Sequence, residues 1–135
     1  MGLDQYLMRK VNNDESVEEI YWRKANFVHR FFFDRHFDED DYEWGEDNCV
    51  PMETSKEDLI ELLDDCKALK LCRDTLGNKA NEEAEYILPT MSGFFFGSTE
   101  YDDWYWEDIE YTIKEVEALL ERATDDDEFY YYAWY

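Results

Sequence analysis

The chain has two histidines, His29 and His36. Neither stands in a His-x-x-x-His or His-Glu-x-x-His spacing, so a zinc centre would have to be assembled from distant residues. Gly93 and Gly97 bracket Phe94, Phe95 and Phe96, without the Gly-Lys-Ser/Thr that completes a phosphate-binding loop. His29, beside Arg30 and at helical spacing above Arg23 and Asn26, could hold an anion; the bland alternative is that these side chains pair with the surplus of acids. Asp38-Glu39-Asp40-Asp41 and Asp125-Asp126-Asp127-Glu128 would attract calcium or magnesium weakly, but lack the alternating spacing of an EF-hand loop. Carboxylate pairs are too abundant for a general acid/base pair to stand out. The expectation is a protein without catalytic residues, cofactor or dedicated metal site.

Charge is the dominant property. The net charge is −23, a value that costs the compact state self-repulsion and argues that the charge has a use. It is unevenly placed: residues 37–66 hold 13 acids against Lys56, and residues 99–135 hold 13 against Lys114 and Arg122. The rest is balanced, which predicts one or two negative faces. Such faces repel nucleic acid and anionic membrane and attract cations or basic proteins. Glu100, Asp103, Glu107, Glu110, Glu117 and Glu121 recur at helical spacing as one stripe, with acids roughly 5 Å apart along the axis. That is comparable to the phosphate spacing of a DNA strand, about 3.4 Å of rise per nucleotide. Asp40, Asp41, Glu43 and Trp44 extend the candidate partner-binding set.

Aromatic content separates this chain from a disordered acidic tail, with five Trp, eleven Tyr and nine Phe. Trp104, Tyr105, Trp106 and Tyr111 serve the core and its rim. Some of Trp44, Trp104, Tyr130, Tyr132 and Trp134 must reach the surface, because alternation along an edge strand exposes every second residue. Exposed rings among acids suit an interface that binds arginine.

The elements that position these residues fit one domain of 135 residues. Gly2 to Val11 reads as a strand. Ser16 with Glu19 forms a capping box, and Val17, Ile20, Tyr21, Ala25, Val28 and Phe32 predict a helix over 17–35. Residues 37–48 read as an acidic loop pinned by Phe37, Tyr42 or Trp44, and Cys49 to Met52 as an extended segment at a sheet edge. Thr54 with Glu57 opens a helix of roughly 56–74 that ends near Gly77, and Asn81 to Ile87 adds a turn or two. Ser98 or Thr99, with Asp102, caps a helix of roughly 100–123 whose buried face is Tyr105, Ile109, Ile113, Val116 and Leu120. Phe129 to Tyr135 predicts an aromatic strand partnered by the N-terminal one, with Phe94 to Phe96 as a possible third. The fold class is α+β: three main helices on a small sheet that includes both terminal strands. Cys49, Cys66 and Cys72, an odd count without a Cys-x-x-Cys pair, read as reduced thiols. No apolar run suggests a signal peptide or a bilayer span, and a cytoplasmic location follows as the expectation.

MGLDQYL at the start, YWRKANFVHRFF at 21–32 and LPTMSGFFFGSTEYDDWYWEDI at 88–109 resemble a family of small proteins encoded by bacteriophages and prophages. The resemblance covers both ends of the chain and its middle helix, and implies a cytoplasmic protein made inside a bacterial host. Acidic proteins that block host nucleic-acid machinery or defence systems recur in that setting. It implies, for any family pocket, the positions Arg23, Asn26, His29, Ser98, Thr99, Glu100, Tyr101 and Asp102. The acid load at 38–47 and 125–128 departs from the family pattern. The leading expectation is an inhibitor that mimics nucleic acid on a basic, nucleic-acid-binding host protein. The alternative is a sequestering protein for a nucleotide or metal, its pocket between the 21–32 helix and the 97–102 turn.

Overall fold

The structure, a computed structural model, describes residues 2–93 and 96–135. Its elements in chain order are β1 (Asp4–Lys10), β2 (Ser16–Arg23), α1 (Asn26–His36), β3 (Met52–Thr54), α2 (Lys56–Leu76), a 3₁₀ turn (Gly77–Lys79), α3 (Ala80–Ile87), α4 (Asp103–Arg122) and β4 (Phe129–Trp134). The strands form one antiparallel sheet in the order β2-β1-β4-β3, so both terminal strands lie at its centre. The class is α+β, with α1, α2 and α4 as the main helices.

The chain from 17 to 35 is not one helix. Ile20 and Trp22 turn inward while Tyr21 and Arg23 turn outward, the period of a strand. A register shift opposite Leu7 and Met8 leaves Glu19 as an extra residue, and this bulge breaks the alternation that would have marked the strand in the sequence. Lys24, at φ 57, turns the chain into α1. The cap of α1 is remote: Ala25 occupies the N-cap without a side-chain acceptor. Instead the Gln5 amide on β1 accepts the Ala25 N–H at 2.8 Å and donates to the Ala25 carbonyl at 2.8 Å. Phe27, Val28, Phe31, Phe32 and Phe33 are all buried, because α1 packs against both β4 and α4. Phe32 stacks on Tyr131 of β4 at 4.3 Å, and Phe27 meets Tyr105 of α4 at 4.9 Å.

The other caps also differ from the sequence reading. Ser55, not Thr54, caps α2 through the Asp58 N–H. Asp102, not Ser98 or Thr99, caps α4 through the Tyr105 N–H. Ser98 Oγ instead accepts the Glu100 N–H at 3.0 Å, and the helix starts three residues later than expected. On α4 the buried face includes Trp106, Thr112 and Leu119 besides Tyr105, Ile109 and Val116, with Ile113 and Leu120 partly covered. The edge strand beside β4 is Met52–Thr54, which begins at the last residue of the expected segment Cys49 to Met52 and runs two residues past it. Of the proposed third strand, Phe94 and Phe95 lie outside the described residues, and Phe96 is buried but belongs to no strand.

One face of the sheet packs under the helices through Leu3, Gln5, Leu7, Ile20, Trp22 and Tyr131. Trp22 Nε1 donates to Thr112 Oγ1 at 2.9 Å, which fastens β2 to α4. No helix among the described residues is long and apolar enough to cross a membrane.

Candidate functional site

A cleft of about 500 Å³ opens between the β2–α1 junction and the start of α4. Asn26 builds its far wall. The Asn26 amide donates to the carbonyls of Phe96 at 3.1 Å and Ser98 at 2.9 Å, and its oxygen accepts the Met91 N–H at 3.0 Å. One buried side chain thus ties Met91, Phe96 and Ser98 to α1, and its three hydrogen bonds all go to backbone. Thr90 Oγ1 adds a bond to the Thr99 carbonyl at 2.9 Å, and the Thr90 N–H donates to the Tyr101 hydroxyl at 3.2 Å. Gly97 closes the turn at φ +87, where a Cβ would also stand 3.2 Å from Lys24 Cβ.

Phe27, Trp104 and Tyr105 give the cleft its aromatic surface, and Glu100, Asp102, Glu107 and Asp108 give it negative charge. Trp104 is 74% exposed. Facing these carboxylates are Arg23, already bonded to Asp4 at 2.9 Å, and Lys24, which has no ion pair among the described residues. Asp102 is occupied as the α4 cap. The Asp108 carboxylate has no hydrogen bond or ion pair among the described residues, although its backbone carbonyl accepts from Thr112 Oγ1. Burial, then the charges of Glu107 and Asp102, push the Asp108 carboxyl up to about 7. An acid left unsatisfied in a concave wall is relieved either by keeping its proton, which is what the raised pKa records, or by a cation placed beside it.

Of the residues expected to form a pocket here, Arg23, Asn26, Ser98, Glu100 and Asp102 line the cleft, while Thr99 and Tyr101 brace its turn from outside. His29 is a correction. It does not stand on an exposed face with Arg23 and Arg30; it is wholly buried, with both ring nitrogens engaged. Gln5 Nε2 donates to the Tyr131 hydroxyl at 3.1 Å, which leaves the Tyr131 proton for His29 Nδ1 at 2.7 Å. The His29 Nε2–H then donates to Asp47 Oδ2 at 2.5 Å, and Asp47 Oδ1 accepts the hydroxyls of Tyr42 and Tyr135. Burial raises the Asp47 carboxyl, but the bonds from His29, Tyr135 and Tyr42 outweigh it and hold the group below the ordinary carboxylate range. The Asp47–His29–Tyr131 chain has the order of a proton relay. Sealed from solvent, it ties the loop 37–48 to α1 and β4.

The acidic stripe on α4 is half consumed. Glu117 pairs with Lys67 at 2.7 Å, Glu110 with Lys70 at 3.0 Å and Asp103 with Arg73 at 3.9 Å, all across the seam with α2. Glu100 and Glu107 belong to the cleft, and Glu121 is exposed. The two acidic segments meet only in part: Glu53 and Glu57 of the first line one pocket with Asp125, Asp127 and Glu128 of the second, where Lys56 pairs with Asp125 at 3.2 Å, whereas the loop 37–48 and the run 125–128 lie apart. Cys49 N–H bonds to the Ala133 carbonyl and Tyr135 N–H to Asn48 Oδ1, which puts the loop carrying Asp40, Asp41, Glu43 and Trp44 at the C-terminal end of β4. The 125–128 run precedes Phe129 at the other end, where Lys10 N–H bonds to the Glu128 carbonyl. Roughly 20 Å of strand separates them at about 3.3 Å per residue.

Asp108 and Lys24 are the site residues that the sequence reading missed. Asp108 stands one turn after Trp104 and one turn before buried Thr112, so an acid at the margin of an apolar face was the available signal. Comparison with family models, with curated proteins and with solved structures returned no match.

Proposed function

We propose that this protein is a non-catalytic binder of a basic protein, and that the cleft takes one arginine or lysine side chain of that partner. The single observation that carries the reading is the unpartnered, half-buried Asp108 carboxyl between Glu107 and the aromatic wall of Trp104 and Tyr105. A guanidinium or ammonium there would pair with a carboxylate that makes no ion pair or hydrogen bond among the described residues and rest its apolar stem on rings. The resemblance to phage-encoded proteins makes a bacterial host protein the natural partner, and a surface that normally grips nucleic acid would meet the net charge of −23 best. Imitation of a phosphate strand by the α4 stripe is the weaker component, since Lys67, Lys70 and Arg73 interrupt it.

Calorimetric titration with N-acetyl-arginine amide tests the cleft. Binding should be about tenfold weaker at pH 6 than at pH 8, because one pH unit below the Asp108 pKa leaves a tenth of it ionised. Asp108→Asn should abolish that pH dependence and most of the affinity. Equal binding by both proteins, or binding indifferent to pH, would refute the role given to Asp108. A sequestering protein for a free small molecule is the second reading, favoured by the size of the cleft. The wall carboxylates make a nucleotide the wrong ligand, so stabilisation by nucleotides in a thermal-shift screen would reverse the charge argument.

A further inference from the structure

The face of the sheet opposite the helices carries a row of rings. Tyr6 of β1 stands directly between Tyr21 of β2 and Tyr132 of β4 in the register. Ring centroids are 5.4 Å apart for Tyr6 and Tyr21, and 5.0 Å and stacked for Tyr6 and Tyr132. Tyr130 continues the group 6.2 Å from Tyr132, Met8 lies opposite Tyr130, and Trp134 at the end of β4 is 61% exposed. The helices α1 and α4 pack on the other side, against Gln5, Trp22 and Tyr131. Tyr6 has a ring neighbour on each side, so the ring surface open to a partner is that of Tyr21 and Trp134 at the ends of the group.

Charge decides which partner. Asp4 lies opposite Trp134, Glu18 opposite Met8 and Glu53 opposite Tyr130. Among the described residues the cations of this face pair with its acids, Arg23 with Asp4 and Lys10 with Glu53 and Glu128, and Tyr21 also donates to Asp4, which leaves Glu18 as the acid without an ion pair. Nucleic acid would find suitable stacking platforms here but bring its own dense negative charge against a body of −23. A second copy would set −23 against −23. A basic protein segment meets both the rings and the acids. Among basic side chains arginine fits better than lysine, because a planar guanidinium stacks on a tyrosine while bonding a carboxylate at its edge.

We infer that the row Tyr21, Tyr6, Tyr132 with Trp134 docks an arginine-bearing basic segment of a protein partner. The inference stands on residues separate from the cleft, and it adds a second contact surface to the binding reading proposed above. The test titrates a 12-residue alternating Arg-Gly peptide into the whole protein at physiological salt, beside the Lys-Gly peptide and a 12-nucleotide oligo-dT. The Arg peptide should bind about fivefold more tightly than the Lys peptide. The double variant Tyr6→Leu/Tyr132→Leu keeps apolar area on the strands but removes the π-faces, and should lose about tenfold. Trp134→Ala, at an exposed position, should lose severalfold and serves if the double variant fails to fold. Glu117→Gln, on the α2–α4 seam, should bind the Arg peptide like the parent protein, and the tyrosine substitutions should cost the same loss of about tenfold in an Asp108→Asn background, where the cleft contact is removed; loss in Asp108→Asn alone with retention in the tyrosine variants would assign the peptide to the cleft and overturn the inference. Equal affinity for Arg and Lys peptides, binding of oligo-dT, or a concentration-dependent dimer that excludes the peptide would each overturn it as well.

Discussion

Asp47 and Asp108 are two aspartates withdrawn from water, and their carboxyls are displaced in opposite directions. Burial acts on both and raises both. Asp47 has the His29 imidazole and two tyrosine hydroxyls on its oxygens, so its charge is held and its pKa falls. Asp108 has none of these among the described residues, and the charges of Glu107 and Asp102 add to the effect of its burial. Partners, not depth, decide the sign. One site is complete and closed, and its product is stability; the other is incomplete and open, which is the condition for binding something from outside.

Removing the complete site should do most damage. Asp47→Ala leaves the Tyr42 and Tyr135 hydroxyls and the His29 N–H buried without an acceptor, and should cost about 3–5 kcal/mol in denaturant unfolding. A loss below about 1 kcal/mol would show that the carboxylate does not hold the cluster together. Acid titration probes the same group without mutation. The folded pKa of Asp47 lies below its unfolded value, so its contribution is present above about pH 4 and disappears as pH falls through the folded pKa. Thermal stability should therefore drop steeply on the acid side of pH 4, and Asp47→Asn should flatten that limb.

The open site predicts the reverse slope. The Asp108 pKa is raised on folding, so the folded protein holds that proton more tightly and stability declines as pH rises from about 4 through 7. Asp108→Asn should thus stabilise the protein at pH 8 by about 1 kcal/mol after solvent screening, and change little at pH 5. An unaltered melting temperature at pH 8 would mean that Asp108 is not held at a cost. Smallest of all should be Glu117→Gln, which removes an exposed pair with Lys67: within about 0.5 kcal/mol in stability and without effect on the cleft.

Much of the architecture was legible in local pattern. The α2 helix, the α4 helix and the aromatic C-terminal strand paired with the N-terminal one follow from apolar spacing and ring content, because each element carries its own periodicity. The misread stretch was Ser16–Arg23. There the bulge at Glu19 disrupts the strand period, and Val17, Ile20, Tyr21 and Ala25 then mimic a helical one across the strand–helix boundary. The start of α1 could not be read locally either, since its cap is the Gln5 amide, 20 residues away.

The location of the cleft was partly readable: Arg23, Asn26, Ser98, Glu100 and Asp102 do meet around it. Its chemistry was not, because the decisive property of Asp108 is the absence of a partner, which depends on which neighbours the fold brings near. His29 shows the same limit from the other side. A histidine among arginines looked anion-binding, until folding placed Asp47 and Tyr131 on its two nitrogens.

By itself the sequence determined the α+β class, its helical faces, its terminal strand pairing and the surplus of carboxylates over bases. These are properties of composition and of short periods along the chain, where neighbours in sequence are neighbours in space. Only the tertiary structure decided which carboxylates are neutralised across the α2–α4 seam, which are sealed with His29 and which remain open beside Trp104. Charge acts through distance and desolvation, and both are fixed between residues far apart in the chain.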